Sequence, residues 1–207
     1  MPESAEEVYA RVVAAVGEEG RLPMPPVYEW DMFPWELVDG ELQPKVVQKP
    51  YPGSEPPRWG EAHDKPCGTC DGGEKNTIIW ENDRWFVNRS EAPTGLPLVL
   101  WLKPKEHLDL TDLDDDMAAE MGRISTWLCR IMSNLPNIGR VHVNRWGDGG
   151  SHLHWWFIAR TARLPHIIGS MAVEWDQMLP PGPEDVWLAD VHTVAAKLAT
   201  HDGRALV

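Results

Sequence analysis

The 207 residues carry 32 acidic and 19 basic side chains, a formal net charge of −13, with 43% apolar and 25% charged residues. That composition suits one compact globular unit and excludes disordered or fibrous chains; so acidic a surface repels a phosphate backbone and argues against a nucleic-acid binder. No apolar run reaches the roughly 18–20 residues that span a bilayer, and the start, Met1-Pro2-Glu3-Ser4-Ala5-Glu6-Glu7, is acidic where a secretory leader is basic. No membrane partner and a cytoplasmic location are therefore expected.

In chain order, Ser4-Ala5-Glu6-Glu7 fits a capping box, and Val8, Val12, Val13 and Val16 follow at helical spacing, predicting a first helix that ends near Gly17. From Leu22 to about Asp64 the chain is rich in Pro, Gly and Trp. This predicts an irregular arm, within residues 1–62, held on the main unit (residues 63–207) by Trp30, Phe33, Trp35 and Trp59. Thr77 to Trp80, Arg84 to Asn88 and Leu96 to Leu102 alternate or run apolar between turn residues and read as an antiparallel meander. Thr111 to about Asn134 repeats Leu113, Met117, Met121, Ile124, Leu128 and Ile131 at three- and four-residue steps, a helix whose apolar stripe covers the sheet. Arg140 to Asn144 and Leu153 to Ala159 read as two more strands, and Pro165 to Met178 and Pro183 to Thr200 as closing helices. The fold class is α+β, with a sheet of about five strands.

Three cysteines are too few for a disulfide framework. Cys129 stands alone and reads as a small buried apolar side chain. Cys67 and Cys70 form a CxxC on a Pro/Gly-shaped knuckle, Lys65-Pro66-Cys67-Gly68-Thr69-Cys70-Asp71-Gly72-Gly73. Two thiols so spaced reach one tetrahedral ion, although a redox pair has the same spacing. Further ligands are on offer from His107, in Lys103-Pro104-Lys105-Glu106-His107, and from His152, in Ser151-His152-Leu153-His154. Period-two alternation places His152, His154 and Trp156 on one strand face and Leu153, Trp155 and Phe157 on the other.

A strand ending in Pro-Lys-Glu-His, a helix, a strand with Val143-Asn144, a Gly-rich turn, and His152-Leu153-His154-Trp155-Trp156-Phe157-Ile158-Ala159-Arg160 together resemble the histidine-triad superfamily over about residues 63–160. The run His63-Asp64-Lys65-Pro66-Cys67 is also similar to the approach to the knuckle of galactose-1-phosphate uridylyltransferases, a zinc-carrying branch. The resemblance implies structural zinc held by Cys67, Cys70, His107 and His152, and a homodimer. It implies that His154 attacks the α-phosphorus of a nucleotide and that Asn144 contacts phosphate. Neutral imidazole is nucleophilic near pH 7, provided its other nitrogen is held by an acceptor. Gly149, Gly150 and Ser151 offer backbone N–H groups and a hydroxyl to the phosphoryl oxygens, or form a plain hairpin turn. Trp85 and Phe86 stand where the family frames a nucleoside, or are core aromatics.

Trp156 departs from the pattern, since relatives carry His or Gln there; indole donates one hydrogen bond and shuttles no proton. Two functions follow: a nucleotide hydrolase or nucleotidyltransferase working through a nucleotidyl-His154 intermediate, with Trp156 as the substitute donor, or a zinc-stabilised nucleotide-binding protein in which turnover is impaired. The substrate classes implied are dinucleoside polyphosphates, nucleoside phosphoramidates and nucleotide sugars.

Overall fold

The computed structural model describes residues 3–23 and 33–207; Trp30, one of the expected arm anchors, lies outside them. Helix α1 spans Ala5–Ala15, opened by the predicted box: Ser4 Oγ accepts from the Glu7 N–H at 3.2 Å and Glu7 Oε2 accepts from the Ser4 N–H at 2.7 Å. The arm differs from expectation. Residues 35–44 of it form a hairpin, β1 (Trp35–Val38) against β2 (Glu41–Pro44), turning on Asp39 and Gly40, both at positive φ (52° and 85°). An Asp-Gly pair in those conformations matches the right-handed twist of the two strands it joins. Nor do the aromatic anchors bury: Trp35 is 39% and Trp59 56% exposed.

The main sheet has six strands, one more than expected, all antiparallel: β3 (Ile78–Glu81), β4 (Trp85–Arg89), β5 (Leu98–Pro104), β6 (Ile138–Asn144), β7 (Trp155–Thr161) and β8 (Arg204–Ala205), in the order β6-β7-β5-β4-β3-β8. Between β5 and β6 runs α2 (Asp115–Ser133), with Asp114 accepting from the Met117 N–H at 2.7 Å as its N-cap. It buries Met117, Ile124, Leu128, Ile131 and Met132. Helix α4 (Glu184–Ala199) lies beside α2, and both cover one face of the sheet, meeting Trp85, Val87, Leu98, Leu100, Leu102 and Phe157 in a single apolar core. The stretch expected to be helical from Pro165 to Met178 is mostly irregular: Gly169 turns the chain at φ 67°, and only a 3-10 turn at Ser170–Val173 and one helical turn, α3 (Trp175–Met178), follow. Among the described residues no helix is long and apolar enough to cross a membrane.

On the opposite face, register decides what stands together. Asn88 pairs with Trp101, Trp101 with Trp156, and Trp156 with Asn144. Cross-strand partners project to the same side, so these four form a row. The segment around Leu164, Ile167, Ala172 and Leu179 packs over Val99 and Ile158 at one end of this face, and the other end opens into a cleft.

Candidate metal centre and adjoining cleft

The strand expected from Leu153 begins at Trp155, so His152 and His154 precede it. The Leu153 N–H donates instead to the Leu108 carbonyl at 2.8 Å, and with Leu153 anchored in the core at 1% exposure the two histidines turn to the side away from it. His152 reaches the knuckle: its Nδ1 lies 3.5 Å from both Cys67 Sγ and Cys70 Sγ, and His107 Nδ1 lies 3.3 Å from Cys70 Sγ. One ligand atom from each of the four residues falls within 4.8 Å of all the others. A tetrahedral zinc with ordinary Zn–S and Zn–N bonds separates sulfur from nitrogen by about 3.6 Å, so this spacing fits a bound ion. The four therefore form a cluster able to hold a metal.

The surroundings suit ligation. His152 Nε2 is bonded to the Pro104 carbonyl at 2.9 Å, which requires N–H there and leaves Nδ1 a lone pair for a metal. Burial, opposed by that carbonyl, lowers the His152 pKa and favours the neutral ring. His107 Nε2 meets Ser151 Oγ at 3.1 Å, and Ser151 Oγ donates to the Trp59 carbonyl at 3.1 Å. Both ligand imidazoles are thus oriented from behind by oxygen acceptors. Burial and the neighbouring Cys67 sulfur push the Cys70 thiol up to about 11, so two thiolates coexist there only beside a cation.

Part of the arm closes on this centre. The Trp59 N–H donates to Gly149 O at 3.0 Å and the Ser151 N–H to Trp59 O at 2.9 Å, a parallel bridge centred on Gly150. Asp109 ties the same pieces together, accepting from Arg58 at 2.8 Å and from Arg145, while Arg58 also donates to Gly147 O at 2.9 Å. Gly60 sits in the angle between them at φ 96°, where a Cβ would come 2.6 Å from Ser151 Oγ and 2.7 Å from His107 Cε1. Only glycine fits there.

Two residues beyond His152, His154 Nδ1 meets the His152 backbone carbonyl at 2.8 Å. The sequence requires such an acceptor without naming it. With Nδ1 carrying the proton, Nε2 keeps its lone pair, and His154 lines a cleft of about 330 Å³ together with Glu74, Asn88, Arg89, Trp101, Lys103 and Trp156. That volume lies at the lower end of the usual range for small-molecule sites. Glu74 follows directly on the knuckle, and its carboxylate pairs with the Lys103 ammonium, 7% exposed, on β5; the metal cluster and the cleft share a wall.

The remaining sequence candidates divide. Asn144 stands next to Trp156 in the row and does not line the cleft. A Cβ at Gly150 would stand 3.8 Å from His154 Cε1, so that backbone is close to the imidazole, and the bridge to Trp59 leaves the Gly150 N–H unused. Gly149 and Ser151 instead give the bridge a carbonyl and an N–H, and the Ser151 hydroxyl backs His107. Trp85 and Phe86 require correction as a nucleoside platform. Trp85 is wholly buried against the helices, its indole donating to Glu120 at 3.1 Å, Phe86 is 6% exposed, and neither lines the cleft. The aromatic rings that do line it are Trp101 and Trp156, edge-on at 4.9 Å. Asn88, Lys103 and Trp101 escaped the sequence reading because buried polar strand residues are assigned to a site only through register; alternation along Trp101-Leu102-Lys103 was the available signal.

No family model and no curated protein matches this chain by sequence. Solved structures do resemble it. They include a histidine triad protein from Marinobacter aquaeolei, at 17% identity and TM-score 0.49 over 62% of this chain and 93% of that one. A Zn-bound histidine triad family protein from Mycobacterium smegmatis matches at 15% and 0.44 over 65% and 96%. A uridylyltransferase matches at 21% and 0.39 over 62% of this chain and 45% of its own. The likeness is one of fold; the chemistry must be read from this chain's own side chains.

Proposed function

We propose that this protein is a nucleotide hydrolase or nucleotidyltransferase in which His154 Nε2 attacks the α-phosphorus of a nucleotide. The observation that carries the reading is the His154–His152 carbonyl bond at 2.8 Å on a residue lining the cleft, because it fixes the tautomer a nucleophilic imidazole needs. As the Nε2–P bond forms, the bond from phosphorus to the leaving oxygen breaks and that oxygen departs with the electron pair. Water, releasing a proton to solvent as its oxygen bonds to phosphorus, or an oxygen of a second phosphate then attacks, the P–N bond breaks, and neutral imidazole returns. The proton on Nδ1 stays on the ring throughout. In this reading the Gly150 N–H, beside the His154 imidazole, orients the phosphate, and the Lys103–Glu74 pair lines the same cleft.

Trp156 narrows the leaving group. Its Nε1 is buried and has no hydrogen-bond partner among the described residues, so it can donate to a phosphoryl oxygen. Indole does not release that proton near neutral pH, and the leaving group therefore departs as a stable anion. Phosphate leaving groups, as in dinucleoside polyphosphates and nucleotide sugars, meet that condition better than the amine of a phosphoramidate.

Zinc is the metal this donor set fits, two thiolates and two imidazoles within 4.8 Å of one another. With four protein ligands it would have no open position, and when bound it supplies structure rather than Lewis acidity. A second reading, nucleotide binding without turnover, draws on Trp156 itself, whose ring is wedged between Trp101 at 4.9 Å and Trp146 at 5.2 Å.

Intact-protein mass spectrometry after incubation with a UDP-sugar, a diadenosine polyphosphate and an adenosine phosphoramidate separates the two. A nucleotidyl increment from either phosphate donor, lost in His154→Ala while metal content stays the same, is the expected result. Nucleotide binding without adduct or donor consumption would establish the binding protein instead.

A further inference from the structure

Asn88 is 4% exposed on β4, lines the cleft, and its Oδ1 is buried without a hydrogen-bond partner among the described residues. A buried acceptor left unpaired is destabilising, and strand interiors ordinarily avoid it by taking an apolar residue. Val87 and Phe86 beside it do so. The amide torsion of asparagine is broad, so a small rotation offers the cleft either the carbonyl oxygen or the NH₂ group, an acceptor and a donor in one plane.

Its position suits a definite part of a ligand. Asn88 and Trp156 are each one strand away from Trp101 in the row, which sets them about 10 Å apart across the sheet. The His154 ring lies 6.4 Å from that of Trp156. A group reacting at His154 therefore reaches Asn88 only with its far end, passing over Trp101, an aromatic surface on which a flat ring stacks.

Resting on the nucleotide reading above, we infer that Asn88 determines base specificity: its amide pairs with the edge of a nucleobase stacked on Trp101 while the phosphate lies at His154. A planar edge carrying a donor beside an acceptor satisfies both halves of the amide, as asparagine does with adenine elsewhere, and a base offering the wrong pattern leaves the Asn88 Oδ1 unpaired.

The test measures dissociation constants of the metal-loaded protein for the 5′-monophosphates of adenosine, guanosine, cytidine and uridine, and for ribose 5-phosphate, which has no base. Wild type should separate its best and worst nucleotide by about tenfold or more. Asn88→Leu should compress that spread to within about threefold and leave ribose 5-phosphate binding unchanged. Asn88→Asp, which keeps the shape but only accepts, should reorder the bases and guards against a folding defect in the leucine variant. A preference order that survives both substitutions overturns the inference while leaving the nucleotide reading intact. Failure of wild type to bind any of the four nucleotides overturns that reading, and this inference with it.

Discussion

Asp190 on α4 is 7% exposed, and its carboxylate makes no hydrogen bond or ion pair with a described residue. Burial raises its pKa above the ordinary 3.8. A carboxylate whose folded pKa is raised contributes most below its unfolded pKa and loses that contribution as pH rises through the folded value. At neutral pH it is a liability, and Asp190→Asn should raise stability by on the order of 1 kcal/mol. Urea unfolding at pH 7 and pH 4 checks this: the gain should shrink at the lower pH, and an equal gain at both would dismiss ionisation as the cause. No periodicity in the sequence singles out Asp190, since an acid on an amphipathic helix looks solvent-facing until α1 and the Pro93–Pro97 turn, which line a cavity with it, are placed. Cys67, Cys70, His107, His152 and His154 were legible because their chemistry is carried by residue type and spacing. Asn88 was not, because an asparagine in a strand means nothing until its cross-strand partners are known.

At the scale of elements, the arm is joined to the site by backbone as much as by side chains. Gly60 allows the turn at Arg58–Glu61 to sit against His107 and Ser151, and Asp109 clamps it through Arg58 and Arg145. Gly60→Ala should cost about 1–3 kcal/mol from the positive φ alone, and the crowding of His107 should weaken metal retention as well. Thermal melts with and without added zinc, together with metal analysis, test this: a variant that melts like wild type and holds metal equally well would show that the arm yields. Strands β3 to β7 and helices α1, α2 and α4 were readable because each repeats its period over several residues or carries a cap. The β1–β2 hairpin was obscured by the surrounding prolines, although Asp39-Gly40 was a usable signal. The two-residue β8 has too little length for any pattern; it is fixed by pairing with Trp80 and Glu81.

For the molecule as a whole, the Cys/His cluster joins three distant stretches of chain, at residues 67–70, 107 and 152, and Glu74, just beyond it, pairs with Lys103 on the wall of the cleft. Removing the metal by chelation, or replacing Cys67 with Ser, should lower the melting temperature by several degrees and weaken nucleotide binding together. Calorimetry on the metal-loaded and chelated protein provides the measurement; an unchanged melting point after verified metal loss would confine the cluster to a local role. His152 serves both neighbourhoods with different atoms, its ring facing the thiols and its peptide oxygen holding His154. Mutation can erase the ring but never the peptide oxygen, which every amino acid supplies. The two properties are therefore unequally exposed to sequence drift: descendants of this chain can lose the Cys/His cluster one side chain at a time while the His154 imidazole keeps the atom that orients it.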